Sequence, residues 1–344
     1  MKPHAPLSAI AALLALQPAL AASPQVCDKT TRHLYSACTD EVRDDRLVGY
    51  ANCANVIDED EQAECYDEVD EEYTEAAALC KEQRSARFDV CDEVGQEAYD
   101  LSWYWVPGNF VNPDNIGGAV APNPWFDLTP GTTNRFYGGG EEIEVTVTEE
   151  TKLINGVRCR TVRDLVTADG LNVEDTDDWY AQDRWTGDVW YCGEEVKNYE
   201  FYEGDDPEMA ELVDMEGSWK AFRDYAQPGI LVHAIPMEGA IYRQEAAWGD
   251  AEDVAEVLTA NADGLLEGDE CEAAEEEPDT ATVAAYLEEM CDGDCLVTLE
   301  YTAIEPEVFA HKYYAPGVGL LAEVEDGTCV LRGEPEEAGG EGGE

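Results

Sequence analysis

EDTDDWYAQDRWTGDVWYCGE, residues 174–194, reads as a β-hairpin. Trp179 and Gln182 belong to one β-rich arm and Val189 to Cys192 to the other, with Thr186-Gly187-Asp188 as the turn. Three of the chain's eight tryptophans fall inside this stretch, so an aromatic-lined surface is to be sought here first. Acids and amides surround the rings: Asp177, Asp178, Gln182, Asp183 and Glu194. They match no catalytic signature.

The same period of two extends on both sides. Upstream, Ile143, Val145 and Val147 alternate with acids and threonine, and Val157, Cys159 and Thr161 resume after the turn at Asn155-Gly156. Downstream come Ile230 to Val232, Ala240 to Tyr242, Leu296 to Tyr301 and Val318 to Val324. Roughly ten short runs separated by turns rather than helices predict an antiparallel sheet, closed into a barrel or half-barrel that manages its edges. The expected β domain covers 131–332, with an acidic insertion at 264–290 that carries a helical piece at Ala281 to Met290. Residues 102–130 hold five prolines and read as a linker, but Trp103, Tyr104, Trp105, Trp125 and Phe126 predict that it lies along a domain surface.

Before the linker the pattern is helical and covalent. Cys27, Cys38, Cys53, Cys65, Cys80 and Cys91 are spaced 11, 15, 12, 15 and 11 apart, a palindrome centred on Glu59. Steps of 11 and 15 are near whole numbers of helical turns, so the cysteines share one stripe. The reading is an antiparallel helical hairpin within 22–101, helices at about Pro24–Val56 and Asp60–Tyr99, stapled by Cys27–Cys91, Cys38–Cys80 and Cys53–Cys65. The fold class is therefore α+β: a disulfide-stapled hairpin, then an antiparallel β-barrel or half-barrel.

Lys2 and His4 precede an apolar run from Leu7 to Leu20, ending in Ala19-Leu20-Ala21. That is a secretory signal peptide, 1–21, and it places the mature chain outside the cytoplasm, secreted or periplasmic, where disulfides persist. No later segment is apolar enough to span a bilayer. The chain of 344 residues carries 78 acidic against 20 basic residues, a formal charge of −58, which excludes nucleic acid and anionic membrane surfaces as partners. The acids act either as a solvating coat or as Ca²⁺ ligands. No other cofactor is indicated, and a small-molecule or protein partner stays undefined. Residues 333–344, rich in glycine and acid, read as a disordered tail.

Within 123–325 an ordered set of motifs stands out: NPWFDLTPGT from Asn123, TKLINGVRC from Thr151, DWYAQD and VWYCGE in the hairpin, QPGILVHAIP from Gln227, IYRQEAAWGDAEDVAEV from Ile241 and KYYAPGVG from Lys312. The set resembles an uncharacterised family of bacterial secreted or periplasmic β-rich proteins. The resemblance implies an exported β domain and carries over no activity. Cys192 and Phe222-Arg223-Asp224 depart from the family pattern.

Six cysteines remain, and fifteen pairings are formally open. Cys159–Cys192, Cys271–Cys291 and Cys295–Cys329 join neighbours in sequence. For function, Asp177, Trp179, Tyr180, Gln182, Asp183, Trp190, Glu194, Tyr242, Gln244, Glu245, His311, Tyr313 and Tyr314 form the candidate binding set. Rings with amide and acid tips suit a sugar, a cation or a polar small molecule. The alternatives are a core of inward-facing aromatics in a structural surface protein, and a hydrolase built on two converging carboxylates.

Overall fold

The structure, a computed structural model, describes residues 25–202, 204–207, 209–272 and 277–333. The expected signal peptide, 1–21, and the expected tail beyond Gly333 lie outside the described residues.

Helices α1 (Val26–Cys53) and α2 (Glu59–Val94) form the antiparallel hairpin. Asp58 caps α2 by accepting from the N–H groups of Asp60 and Glu61 at 3.0 and 3.2 Å, and three acids occupy the first turn, where the helix dipole favours them. All three nested disulfides are present, with Cα separations of 5.6, 5.8 and 5.6 Å. Gly49 lets the helices approach, since a Cβ there would lie 2.8 Å from a Val69 methyl. Both helices stop short of their expected ends. Gly95, at φ +98°, terminates α2, and Tyr99 and Leu101 bond instead to Pro228 and Gln227 of the β domain.

The described residues after the hairpin form sixteen strands: β1 (Thr133–Gly138), β2 (Glu141–Ile154), β3 (Val157–Ala168), β4 (Leu171–Gln182), β5 (Val189–Glu195), β6 (Asn198–Phe201), β7 (Ala210–Asp214), β8 (Trp219–Lys220), β9 (Gln227–Val232), β10 (Ile241–Arg243), β11 (Glu245–Ala246), β12 (Val254–Ala262), β13 (Cys295–Tyr301), β14 (Phe309–Ala315), β15 (Gly319–Glu325) and β16 (Thr328–Arg332). Helix α3 (Thr280–Met290) lies between β12 and β13. All strand pairs are antiparallel, and the main path runs from β12 through β16 to β1, then on to β5 and β9.

What nearly closes this path into a barrel is one bent strand. Strand β10 pairs with β12, while β11, one residue further on, pairs with β9. The bend at Gln244 is held because the N–H groups of Gln244 and Glu245 both donate to the Asp253 carbonyl, at 2.8 and 3.2 Å. Gly229 permits the approach of β9: a Cβ there would meet the Gln244 carbonyl oxygen at 2.1 Å.

Residues 102–130 are corrected from a surface linker to a plug. Trp105, Phe110, Ile116, Trp125 and Leu128 are buried in the main apolar cluster. The plug bonds to the turn-side ends of several strands: Trp105 Nε1 donates to Ile154, Val111 N to Gln182 O, Asn123 to Gly187, and Gly317 N to Pro124 O. It therefore sits at the end of the barrel where the β2–β3, β4–β5 and β14–β15 turns gather. The helical hairpin meets the other end, through Gln83 to Ile304 O at 2.8 Å and Arg87 to Glu252.

Cys159 bonds to Cys192, but the last two pairings are corrected to Cys271–Cys329 and Cys291–Cys295. Cys291 ends α3 and Cys295 opens β13, and Gly293, at φ +72°, folds the chain tightly enough to bring them to a Cα distance of 5.4 Å. Cys329 on β16 then faces the insertion, where Glu272 N bonds to Gly327 O beside Cys271. A second apolar cluster, containing Val283, Leu287, Leu321 and Leu331, packs α3 against the outside of the sheet.

Candidate functional site

Period two decides which side chains enter the barrel. The pairs Val147–Val162, Val145–Asp164, Val162–Asp178 and Asp164–Thr176 put alternate residues of β2, β3 and β4 on one face. Glu300 on β13, Lys312 and Tyr314 on β14, and Leu320 on β15 face the same space. These residues do not fill it. A cavity of about 370 Å³ remains, and it adjoins a second space of about 290 Å³, with Asp164, Asp178, Tyr180, Leu231, Glu300 and Lys312 lining both.

The larger half, toward the plug, is apolar and aromatic. Trp125 and Phe126 come from the plug, with Phe136, Val145, Val147, Val162, Leu231 and Leu320 from the strands. Arg332 also borders this half, donating to the carbonyls of Val318 and Leu320 at 2.7 and 3.2 Å and to Asn134 Oδ1 at 2.5 Å.

The other half is acidic. Asp164, Glu174, Asp178, Glu194, Glu245, Asp253 and Glu300 line it against a single cation, Lys312. Lys312 Nζ lies 3.1 Å from Glu300 and 3.7 Å from Glu323. Burial alone would pull its pKa down, but these two carboxylates outweigh burial and hold the ammonium charged. The remaining acids have no such partner. Burial, with Asp178 and Glu174 nearby, pushes Asp164 up to about 7. Burial also raises Asp178 to about 7, against the Tyr191 hydroxyl that donates to it. Glu194 rises to about 9 through burial and the charge of Asp178, and Asp253 to about 6, with Lys312 opposing. Burial raises Glu245 too, although Trp219 Nε1 donates to it at 2.9 Å. Asp164 Oδ1 is buried with no hydrogen-bond partner. The interior thus holds carboxyl groups that keep their protons to higher pH than ordinary acids, Glu194 past neutrality, and that would ionise more readily beside a cation.

Of the candidate set, Tyr180, Glu194, Gln244, Glu245 and Tyr314 meet in this interior. Tyr242 stands edge-on to His233, 4.6 Å between ring centroids. The rest lie elsewhere. Asp177 is not among the lining residues, and Trp179 is on the outer face, covered by Lys152 and Lys220 at 4.3 and 5.2 Å from its ring. Gln182, Asp183 and Trp190 serve the plug: Gln182 donates to Ala121 O at 2.9 Å, Asp183 caps the turn by accepting from Trp185 N and Thr186 N, and Trp190 stacks on Tyr104. His311 and Tyr313 point outward, where both bond to Asp269 and pin the acidic insertion.

The candidate set missed Asp164, Glu174, Asp178, Asp253, Glu300 and Lys312. The signal in the strands was parity: Asp164 lies two residues from the inward Val162, and Lys312 two residues from the inward Tyr314. Among the described residues, no group of three or more His, Cys, Asp or Glu side chains is placed to hold a metal ion, and no helix is long and apolar enough to cross a membrane. No protein-family model, curated protein or solved structure matches the chain.

Proposed function

We propose that this chain is an exported ligand-binding module whose barrel interior holds a small organic molecule. The observation that carries the reading is the unfilled interior of about 370 Å³, within the range of ligand pockets. Protein cores are normally close-packed, so an interior left open between ordered strands marks a site rather than a core. A path of thirteen strand segments encloses more space than their inward side chains occupy. Six disulfides fit a chain that works outside the cytoplasm. A structural surface protein would have no use for such a cavity.

Thermal unfolding of the oxidised protein against sugars, Ca²⁺, Mg²⁺, short-chain acids and amines tests the proposal. Binding to the native state raises the midpoint in a saturable way. A midpoint that responds to bulk salt alone would favour the structural reading.

A second reading, a carboxylate-based hydrolase, draws on Asp178 and Glu194, which are register partners lining one cavity and whose pKa values are raised to about 7 and about 9. Steady release of nitrophenol from an aryl glycoside, lost in Glu194→Gln, would favour it.

A further inference from the structure

We infer that the ligand of the barrel interior is an organic cation with an apolar body, its ammonium among the carboxyls and its hydrocarbon or ring in the aromatic half. This rests on the binding reading proposed above.

The two halves of the cavity share six lining residues and are of opposite character, so one ligand that fills both must be amphipathic. The sign of its head follows from the charges that face it on every strand around the acidic half: Asp164 on β3, Glu174 and Asp178 on β4, Tyr191 and Glu194 on β5, Glu245 on β11, Asp253 before β12, Glu300 on β13, Lys312 on β14 and Glu323 on β15. Lys312 already neutralises charge at Glu300 and Glu323. Asp164, Asp178, Glu194, Glu245 and Asp253 form no ion pair of their own, although the charge of Lys312 is felt at Asp164 and Asp253, and Asp164 Oδ1 has no hydrogen-bond partner. A carboxylate head would meet repulsion from all of them. A neutral head would leave these carboxyls without a counter-charge. An ammonium replaces their protons: it donates to the carboxylates, and each carboxyl that ionises passes its proton to the buffer. Tyr180 lines both halves, and Tyr314 stands with Lys312 and Glu300 in the apolar one, so aromatic rings stand where the head meets the body. An inorganic divalent ion does not fit, because no three acids converge to coordinate one among the described residues.

The test is titration calorimetry of the full oxidised protein at pH 8 with n-octylammonium, n-octanol and octanoate, in two buffers of different ionisation enthalpy and in about 0.5 M NaCl, where attraction to the acidic surface is screened. Octylammonium is expected to bind one to one, at least about tenfold tighter than octanol, with octanoate showing no saturable binding. Its heat is expected to differ between buffers, reporting proton release from the carboxyls still protonated at pH 8, Glu194 and Glu245, and its affinity to fall at least about tenfold by pH 5, where the other carboxyls also hold their protons. In a protein carrying both Asp178→Asn and Glu245→Gln, octanol binding should persist while the preference for octylammonium disappears. Equal binding of octanol and octylammonium without proton release overturns the cationic assignment and leaves the cavity reading standing. Failure of all three compounds overturns both.

Discussion

Arg87 on α2 grips both carboxylate oxygens of Glu252 across the boundary between the helical hairpin and the barrel, with Nε 2.9 Å from Oε2 and Nη2 3.0 Å from Oε1. The two side chains are 7% and 2% exposed, and Glu252 also accepts from Gly249 N at 2.8 Å. Removing one partner leaves the other charged and buried. Arg87→Ala is therefore expected to cost about 3–5 kcal/mol in urea unfolding, while the paired change Arg87→Met with Glu252→Met should cost much less. A single substitution no worse than the pair would mean that the ion pair does not hold the hairpin in place.

The hairpin itself has a thin seam. Thr31 and Cys53 are the buried residues of α1, so crosslinks take the place of a core. Replacing Cys38 and Cys80 with serine is expected to lower the hairpin's stability by about 2–4 kcal/mol. Amide exchange should then rise in both helices between the outer and inner disulfides, while the barrel strands stay protected. Unchanged protection would show that side-chain packing is sufficient.

The interior acids set the pH dependence of the ligand-free protein. Their pKa values are raised, so their contribution is complete below the ordinary carboxylate range and is lost as pH rises through about 6 for Asp253, about 7 for Asp164 and Asp178 and about 9 for Glu194. Acids held down by partners act in the opposite sense. Asp70, through Tyr50 and Arg46, and Asp175, through Arg163, lose their contribution only as pH falls below the ordinary range. Thermal midpoints are expected to decline steadily from about pH 5 to pH 9 and to flatten in Asp178→Asn. A midpoint that climbs over that interval contradicts the assignment.

Closure of the barrel depends on Gly229. A methyl at this position would strike the Gln244 carbonyl oxygen and part β9 from the bent strand. Gly229→Ala is expected to cost about 3 kcal/mol and to raise exchange in β9 through β12. A neutral effect would mean that the seam is looser than its geometry.

Much of this architecture is legible in the sequence because it is periodic. The mirror of cysteine spacings gives three pairings outright, and the hairpin at 174–194 becomes β4 and β5 with little change. The plug was not legible, because its contacts run from irregular backbone to the ends of distant strands, as Trp105 does to Ile154. The site was half legible for a related reason. Alternation identifies two faces but not which one is inside when both are covered, and α3 and the insertion cover the outer face of β14. Tyr314 was therefore grouped with His311 and Tyr313, which point away from it. Asp164 and Glu300 are hidden among 78 acids, because nothing local in the sequence shows that β3 and β13 face one interior. The last two disulfides failed because sequence proximity could not reveal that Cys329 faces Cys271.

The most direct test of the account is whether the barrel interior takes up a small molecule. Nile red, a neutral dye, can be titrated into the native protein and into Val162→Trp, whose larger side chain takes up space in the apolar half that Val162 lines. The native protein is expected to bind one dye with saturable fluorescence, and Val162→Trp to lose that signal while unfolding at a similar temperature. Equal dye uptake by a folded Val162→Trp, or none by the native protein, would contradict the claim that this interior is a binding site.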